Sequence, residues 1–265
     1  NPTVAKIRKN LVRKLLGELK DMLAKAPDDY QKFFRNFGRV LKEGMHTDPD
    51  SRERLQDLLL FETMRGAPGE LKPLTAVSEA IPSDQKHIYW IAGEDRRQCE
   101  NSPHLELLRE QGHDVLFLTD PVDEWVLAAM PEYRGKRLCP AAQGELALDE
   151  AERKTRSEAA EAAAKQHADL LSFLKKALAD QVAEVRFSQR LADSPCCLVL
   201  PDGAPSPQMA KVLRTLGRPL PETRPTLELN PSHPLVAEMH RRLDHNRNDP
   251  QLQECAELLH DQALL

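Results

Sequence analysis

Large aromatic side chains are scarce in this chain, and glycine-rich phosphate loops are missing. Phenylalanine, tyrosine and tryptophan together make 5% of the 265 residues, so each exposed aromatic side chain is a candidate anchor. None of the eleven glycines stands in a GxGxxG or GxxxxGK[ST] pattern. The backbone cradle that binds nucleotide phosphates in those motifs is therefore not expected here.

Cysteine usage and net charge indicate the cellular compartment and the classes of partner. Five cysteines form no CxxC pair and no metal-ligand spacing, which is typical of a reducing cytoplasm; they are Cys99, Cys139, Cys196, Cys197 and Cys255. A net charge of −5 argues against general nucleic-acid binding. No apolar run approaches the roughly 18 residues that a membrane span requires. We therefore expect a cytoplasmic protein whose partners are neither nucleic acids nor membranes.

Signals for catalysis are equally sparse. The chain has no HExxH and no GxSxG motif. His240 and His245 flank Asp244, but their spacing does not align metal ligands on one helix face, so surface histidines are expected. A small-molecule enzyme would need a deep polar pocket with perturbed titrating groups, and no motif indicates one. No catalytic residue and no metal ligand is predicted.

Amphipathic helical patterns fill residues 1–65. Apolar residues recur at helical spacing from Val4 to Leu23, beside a row of lysines and arginines. The pattern returns from Tyr30 to Leu41, a stretch that holds four of the ten Phe and Tyr residues. A third helix is expected from near Asp48, carrying Leu55, Leu58, Leu59 and Leu60. Three helices with short joins predict a compact helical coil.

Residues 75–143 carry the pattern of a small α/β domain. His87–Gly93 and Val115–Leu118 are apolar runs typical of strands, and a helical stretch over 95–112 separates them. Strand, helix and strand within about 30 residues predict a right-handed, parallel βαβ unit. A third strand is expected at Lys136–Cys139.

The second half of the chain is richer in helix. A linker at 140–144 precedes a segment dominated by Ala, Glu, Lys and Arg, which predicts an exposed helix that becomes packed near Leu170. Strands are expected at 182–190, 196–200 and 226–230, and helices at 209–216, 234–245 and 249–265. The predicted fold class is α+β / α/β, with a three-helix coil, a small βαβ domain and a helix-rich α+β C-terminal domain.

One tryptophan lies shortly after the end of a predicted strand. The stretch 114–136 reads DVLFLTDPVDEWVLAAMPEYRGK, and Trp125 follows Asp123 and Glu124 in it. Most tryptophans are largely buried, so one interpretation is a core side chain. The other is an aromatic anchor on a binding surface. The local spacing does not decide between them.

Eight motifs together resemble a known family. They are IRKNLVRKLL, YQKFFRNFGRVLKEG, HIYWIAGE, NSPHLELLREQG, DPVDEW, VRFSQRLADSPCC, QMAK and LELNPSHPLV. In this order they resemble the heat shock protein 90 chaperones, and most closely the bacterial branch of that family. The resemblance covers nearly the whole chain.

The resemblance implies a longer protein with an ATP-binding domain, a middle domain and a C-terminal dimerisation domain. Residues 1–143 look like the later part of the middle domain, and residues 144–265 like the dimerisation domain without its final helix. ATP, Mg²⁺ and the family's catalytic arginine are expected outside this chain, which should hold no cofactor. Ser51-Arg52-Glu53 is similar to the family's arginine tripeptide, but it follows LKEG and opens a helix, so this role is rejected.

The resemblance also implies where clients and a second subunit bind. Unfolded or partly folded client proteins are expected on the acidic–tryptophan pair and on the helix near residue 209, through Glu124, Trp125, Met209, Val212, Leu213 and Leu216. Pro205 stands where relatives can carry a methionine, so the loop before that helix departs from the pattern. Homodimerisation is expected through Leu252, Cys255, Leu258, Leu259 and Leu264, and co-chaperones are further expected partners. Each covered client anchor would contribute about 1–3 kcal/mol.

A protein of another class remains open. Two α/β modules without chemistry also suit a scaffold or adaptor, which would bind one defined protein partner. A pull-down distinguishes the two, because a chaperone recovers many unfolded chains and an adaptor recovers one.

Overall fold

The computed structural model describes residues 2–83, 85–144, 146, 150–220, 223–247 and 249–264, without the side chains of residues 150–152. The chain divides into two compact units. Unit 1 runs from the N-terminal helix to Cys99 and adds Asp114–Cys139. Unit 2 comprises Glu100–His113 and the chain from Pro140 onwards.

Unit 1 combines a helical hairpin with a mixed sheet. Its helices are α1 (Pro2–Lys25), α2 (Pro27–Thr47), α3 (Arg52–Gln56), α4 (Leu74–Ala80), α5 (Arg96–Glu100) and α7 (Val122–Ala128). Pro27 opens α2, and Asp28 and Asp29 lie in its first turn. Proline is preorganised for that position, and the carboxylates face the positive end of the helix dipole.

The sheet of unit 1 has six strands in the order β2-β1-β4-β3-β6-β5. They are β1 (Leu60–Thr63), β2 (Lys72–Pro73), β3 (His87–Ala92), β4 (Val115–Leu118), β5 (Glu132–Tyr133) and β6 (Lys136–Pro140). β3 and β4 pair in parallel with Tyr89 opposite Val115, which confirms the parallel strand pair predicted from the sequence. Every residue of β4 is buried, as expected for a central strand.

The third helix was predicted too long. Leu55 lies in α3, but that helix ends at Gln56, and Leu60 begins β1. Glu62 and Thr63 of β1 pair antiparallel with β4, and its first residues pair with β2. A strand partner that is distant in sequence therefore overrides the helical spacing of the leucines.

The core of unit 1 joins the helices to the sheet. Tyr30 of α2 is fully buried, and its hydroxyl donates a hydrogen bond to the Leu58 carbonyl at 2.6 Å. Leu16 and Leu19 of α1 join the same apolar cluster as Leu116 of β4. The helical coil and the sheet are thus parts of one core.

The segment between β3 and β4 packs in unit 2. It contains a 3₁₀ turn, Pro103–Leu105, and α6 (Glu106–Glu110), in which Leu107 and Leu108 are buried. The Glu106 carboxylate accepts backbone N–H bonds from Ala192, Asp193 and Ser194 at 2.6–3.0 Å. Gly112 (φ 73°) ends the segment, because its left-handed backbone lets the His113 N–H reach the Leu108 carbonyl.

Unit 2 folds helices around a three-stranded sheet of order β7-β9-β8. Its remaining elements are α8 (Glu150–Gln166), α9 (Ala168–Ala177), β7 (Glu184–Phe187), β8 (Cys196–Val199), α10 (Pro207–Thr215), β9 (Thr226–Leu229), α11 (Pro234–His245) and α12 (Pro250–Leu264). β9 is central, parallel to β7 and antiparallel to β8. Leu170, Leu227 and Leu252 are fully buried in the core of unit 2.

The α+β fold class is confirmed by these elements. The boundary between residues 143 and 144 stays a prediction. Within the described residues, no helix is long and apolar enough to cross a bilayer.

Candidate functional site

Helix α7 presents Trp125 at the surface of unit 1. Val126 and Leu127 of this helix are buried, whereas the Trp125 side chain is 38% exposed. The Trp125 carbonyl oxygen lies 2.7 Å from Nε2 of His46, at the end of α2. The tryptophan is therefore held by its backbone and offers part of its ring to solvent.

Two acids of α7 point inward beside Trp125. Asp123 is 3% exposed, and its Oδ1 lies 2.6 Å from the Lys42 Nζ of α2. Burial raises the pKa of Asp123 to about 6, and the attraction of Lys42 opposes this shift. Glu124 is buried at 9% exposure. The predicted pair therefore places only Trp125 at the surface, and a client role for Glu124 stays a prediction.

Helix α10 offers a graded apolar face in unit 2. Ser206 caps it, since its hydroxyl accepts a hydrogen bond from the Met209 N–H at 3.1 Å. Met209 is buried, Val212 and Leu213 are half-buried, and Leu216 is 58% exposed. In this conformation the apolar surface available to a partner lies at the C-terminal end of α10.

Helix α12 divides the residues predicted for dimerisation between two faces. Leu252 and Leu259 are buried in the core of unit 2, and the Leu259 carbonyl accepts a hydrogen bond from the Cys196 thiol. Leu258 and Leu264 are 67% and 64% exposed, and Cys255 is half-buried. Leu258 and Leu264 are therefore the members of this set that a second subunit can reach without unpacking α12.

A buried ionic network in unit 2 was not expected from the sequence. Both Glu228 carboxylate oxygens are bonded: Arg186 reaches Oε1 at 2.8 Å, and Arg190 and Ser188 reach Oε2 at 3.2 and 2.7 Å. Arg190 also donates to the carbonyls of Ala141 and Gly144. The available signal was a single acid between Leu227 and Leu229 in a strand. The network ties β7 and β9 to the chain that enters unit 2.

The cysteines and histidines give little support to a catalytic or metal-binding role. Burial raises the pKa of the Cys99 thiol to about 12 and that of Cys196 to about 11, so both are protonated near neutral pH. His240 lies 3.7 Å from Asp244 and packs edge-on against His167 at 4.2 Å between ring centroids. Within the described residues, no three His, Cys, Asp or Glu side chains converge as a metal site would require.

Comparison with known proteins supplies the family. The family model described as Hsp90 protein matches residues 1–265. Chaperone protein HtpG of Geobacter sulfurreducens is 45% identical over 263 residues, which are 99% of this chain and 40% of that protein. The HtpG proteins of Nocardia farcinica and Mycobacterium leprae are 42% and 39% identical, over 98% and 100% of this chain and 41% of their own length. The chain thus spans about two fifths of the length of these relatives, and, matched from end to end by the family model, it belongs to the Hsp90 family.

Proposed function

We propose that this chain is the client-holding and assembly part of an Hsp90-type molecular chaperone that acts in protein folding under stress. The observation that carries the proposal is the family match over residues 1–265. In the longer, cytoplasmic chaperone, ATP and Mg²⁺ would bind outside this chain. The activity proposed for the chain itself is therefore ATP-independent holding of partly folded proteins.

The exposed apolar side chains of two helices would contact the client. Trp125 on α7 is 38% exposed, and Leu216, directly after α10, is 58% exposed, with Val212 and Leu213 of α10 half-buried. Such contacts are non-directional, so they accept many sequences. Met209 is buried, and it would join the contact only if α10 shifts on binding.

Suppression of aggregation tests the proposal. The chain should slow light scattering by a chemically denatured model enzyme in the absence of ATP. Trp125→Arg and Leu216→Ser should each weaken this holding by about three- to tenfold, because each removes one apolar anchor of about 1 kcal/mol. Val4→Ser is the matched control, since Val4 is an apolar side chain that is 62% exposed on another helix, α1. Holding that survives both substitutions would contradict the proposed surfaces.

Assembly is the second part of the proposal. Leu258 and Leu264 expose apolar surface on α12, and such surface is suited to a homodimer contact. Light scattering over a range of concentrations should show self-association that Leu258→Asp weakens. A monomer at every concentration would contradict a dimer contact built from α12 alone.

A further inference from the structure

Two neighbouring clefts run along α2 in unit 1. The first has a volume of about 230 Å³ and is lined by Phe34, Phe61, Leu71 and Phe117, with Arg35 and Arg39 on α2. The second has a volume of about 340 Å³ and is lined by Leu23, Ala24, Pro27, Leu71 and Pro73. Leu60 and Leu71 line both clefts, so the two share a wall. We call them together the α2 groove.

The size of the α2 groove favours side chains over a cofactor. Small-molecule pockets usually measure about 300–1,000 Å³, and each of these clefts lies at or below the lower end of that range. Each cleft is lined by both apolar and polar residues. An apolar side chain of a polypeptide fits such a cleft, whereas a nucleotide would need more space and more converging donors.

The charges of the α2 groove favour an acidic ligand. In the first cleft the three acids already have cationic partners: Asp123 and Asp120 lie 2.6 and 3.8 Å from Lys42, and Glu62 lies 2.8 Å from Arg96. Arg35, by contrast, is exposed and donates to a neutral group, the Gly69 carbonyl, at 2.8 Å.

In the second cleft the two cations, Lys20 and Arg134, outnumber the acids. Its one acid, Asp57, is shared between Lys20 at 3.5 Å and Arg134 at 3.8 Å. Lys20 is 69% exposed, so its ammonium group remains accessible to a ligand. Both clefts therefore join an apolar wall to accessible cations.

The length of the α2 groove fits an extended peptide. Its lining on α2 runs from Pro27 to Lys42. At about 1.5 Å per residue this part of the helix is about 22 Å long. A chain in β conformation covers that distance with about six or seven residues. One short segment can thus place a side chain in each cleft.

We propose that the α2 groove binds an extended client segment in which two apolar side chains flank acidic residues. The proposal rests on the client-holding function above and adds a sequence preference to it. The apolar side chains occupy the two clefts, and the carboxylates between them pair with Arg35 at one cleft and Lys20 at the other. Clients rich in this pattern are held more tightly than equally apolar clients that carry lysines.

Fluorescence anisotropy with two labelled heptapeptides tests the preference. Both peptides carry leucine at the second and sixth positions, and they differ in having glutamates or lysines between the leucines. The unsubstituted 265-residue chain should bind the glutamate peptide about tenfold more tightly, since two exposed ion pairs separate the peptides. Equal affinity for both peptides, or no saturable binding, overturns the proposal.

Matched variants locate the binding. Arg35→Glu should weaken binding of the glutamate peptide about fivefold and strengthen binding of the lysine peptide. Lys14→Glu, on the exposed face of α1, should change neither affinity by more than about twofold. Ala24→Trp fills the second cleft from an exposed helix position and should weaken both peptides about tenfold. Ala5→Trp, on the same helix and outside the clefts, is its control. Circular dichroism establishes that each variant is folded, and Arg39→Glu replaces Arg35→Glu if the latter is not.

The outcomes separate this proposal from the function on which it rests. If Arg35→Glu and Ala24→Trp leave peptide affinity unchanged, peptide binding in the α2 groove is contradicted. The expected effects of Trp125→Arg and Leu216→Ser on client holding do not depend on that result. If Trp125→Arg and Leu216→Ser leave client holding intact while the groove variants weaken peptide binding, the client surfaces on α7 and α10 are contradicted and the α2 groove is supported. Self-association of the chain that Ala24→Trp abolishes would assign the groove to a second copy and overturn the proposal.

Discussion

Replacing His104 by glutamine should remove an acid sensitivity from unit 2. His104 lies in the 3₁₀ turn Pro103–Leu105, and among the described residues its buried Nδ1 has no hydrogen-bond partner. The ring also makes a hydrogen bond to the backbone of Leu198. Burial and the positive charge of Arg190 lower the pKa of His104 from 6.5 to about 3, and the backbone hydrogen bond opposes the shift only weakly.

The expected effect follows from the two pKa values. Because the folded pKa lies below the unfolded one, the neutral histidine supports folding above pH 6.5, and this support is lost as the pH falls. At pH 5 the unfolded histidine is protonated and the folded one is still neutral. Because pH 5 lies about 1.5 units below the unfolded pKa of 6.5, the free energy of unfolding at pH 5 should be about 2 kcal/mol lower than above pH 6.5. Glutamine at position 104 can still donate to the Leu198 carbonyl but does not titrate.

Urea denaturation followed by far-UV circular dichroism measures this difference. Between pH 7 and pH 5 the unsubstituted chain should lose about 2 kcal/mol relative to His104→Gln. Between pH 8 and pH 7 the difference between the two proteins should be constant, because the histidine is neutral in both states. Both tryptophans lie in unit 1, so their fluorescence cannot report on unit 2 and is not used. A difference that stays constant down to pH 5 would refute the assigned burial of His104.

Three further substitutions test individual contacts. The raised pKa of Asp123 means that the free energy of unfolding falls as the pH rises from about 4 to about 6, by at most about 3 kcal/mol. Urea unfolding followed by tryptophan fluorescence should show no such fall for Asp123→Asn, and a fall equal to that of the unsubstituted chain would contradict the reasoning. Glu106→Gln should cost about 2 kcal/mol, because a charged acceptor of three N–H bonds is lost, and should speed hydrogen exchange at residues 192–194. Ser206→Ala should cost about 1 kcal/mol and speed exchange in α10, unlike the control Ser83→Ala; equal exchange in both would argue against the cap.

Most of the strands that the sequence predicted have a continuous apolar run or a regular apolar–polar alternation. β3, β4 and β8 each carry such a run, β7 and β9 alternate apolar with polar residues, and the helices α10, α11 and α12 begin at prolines that mark their first turns. In these places local pattern and tertiary structure agree, so the pattern was sufficient.

The missed strands, such as β1 and β5, depend on partners or on an unusual turn, whereas β6 was predicted at Lys136–Cys139. β1 follows a leucine run with helical spacing, and only pairing with β4 makes it a strand. β5 and β6 form a hairpin whose two turn residues, Arg134 and Gly135, both have positive φ, at 48° and 79°. Arginine is rare at such a position, and the usual Asn-Gly or Asp-Gly signal is absent. No local rule indicated this hairpin.

The candidate surfaces were predicted only in part. Trp125 was selected through the family resemblance, and its 38% exposure suits a contact surface. Its neighbour Glu124 is buried, and so is Met209, because α7 and α10 turn those positions toward their own units. The Lys42–Asp123 ion pair joins residues 81 apart in sequence, so no spacing rule could have found it. Periodicity identifies an apolar helix face, but exposure depends on what packs against it.

Equilibrium binding of a permanently unfolded, fluorescently labelled protein tests the central claim most directly. The unsubstituted chain should bind it saturably without ATP, and the double variant Trp125→Arg, Leu216→Ser should bind about tenfold or more weakly, since it lacks the apolar anchors on both α7 and α10. The control Val4→Ser should bind like the unsubstituted chain. Equal affinity of all three proteins, or no binding by the unsubstituted chain, would contradict a client-holding role for these surfaces.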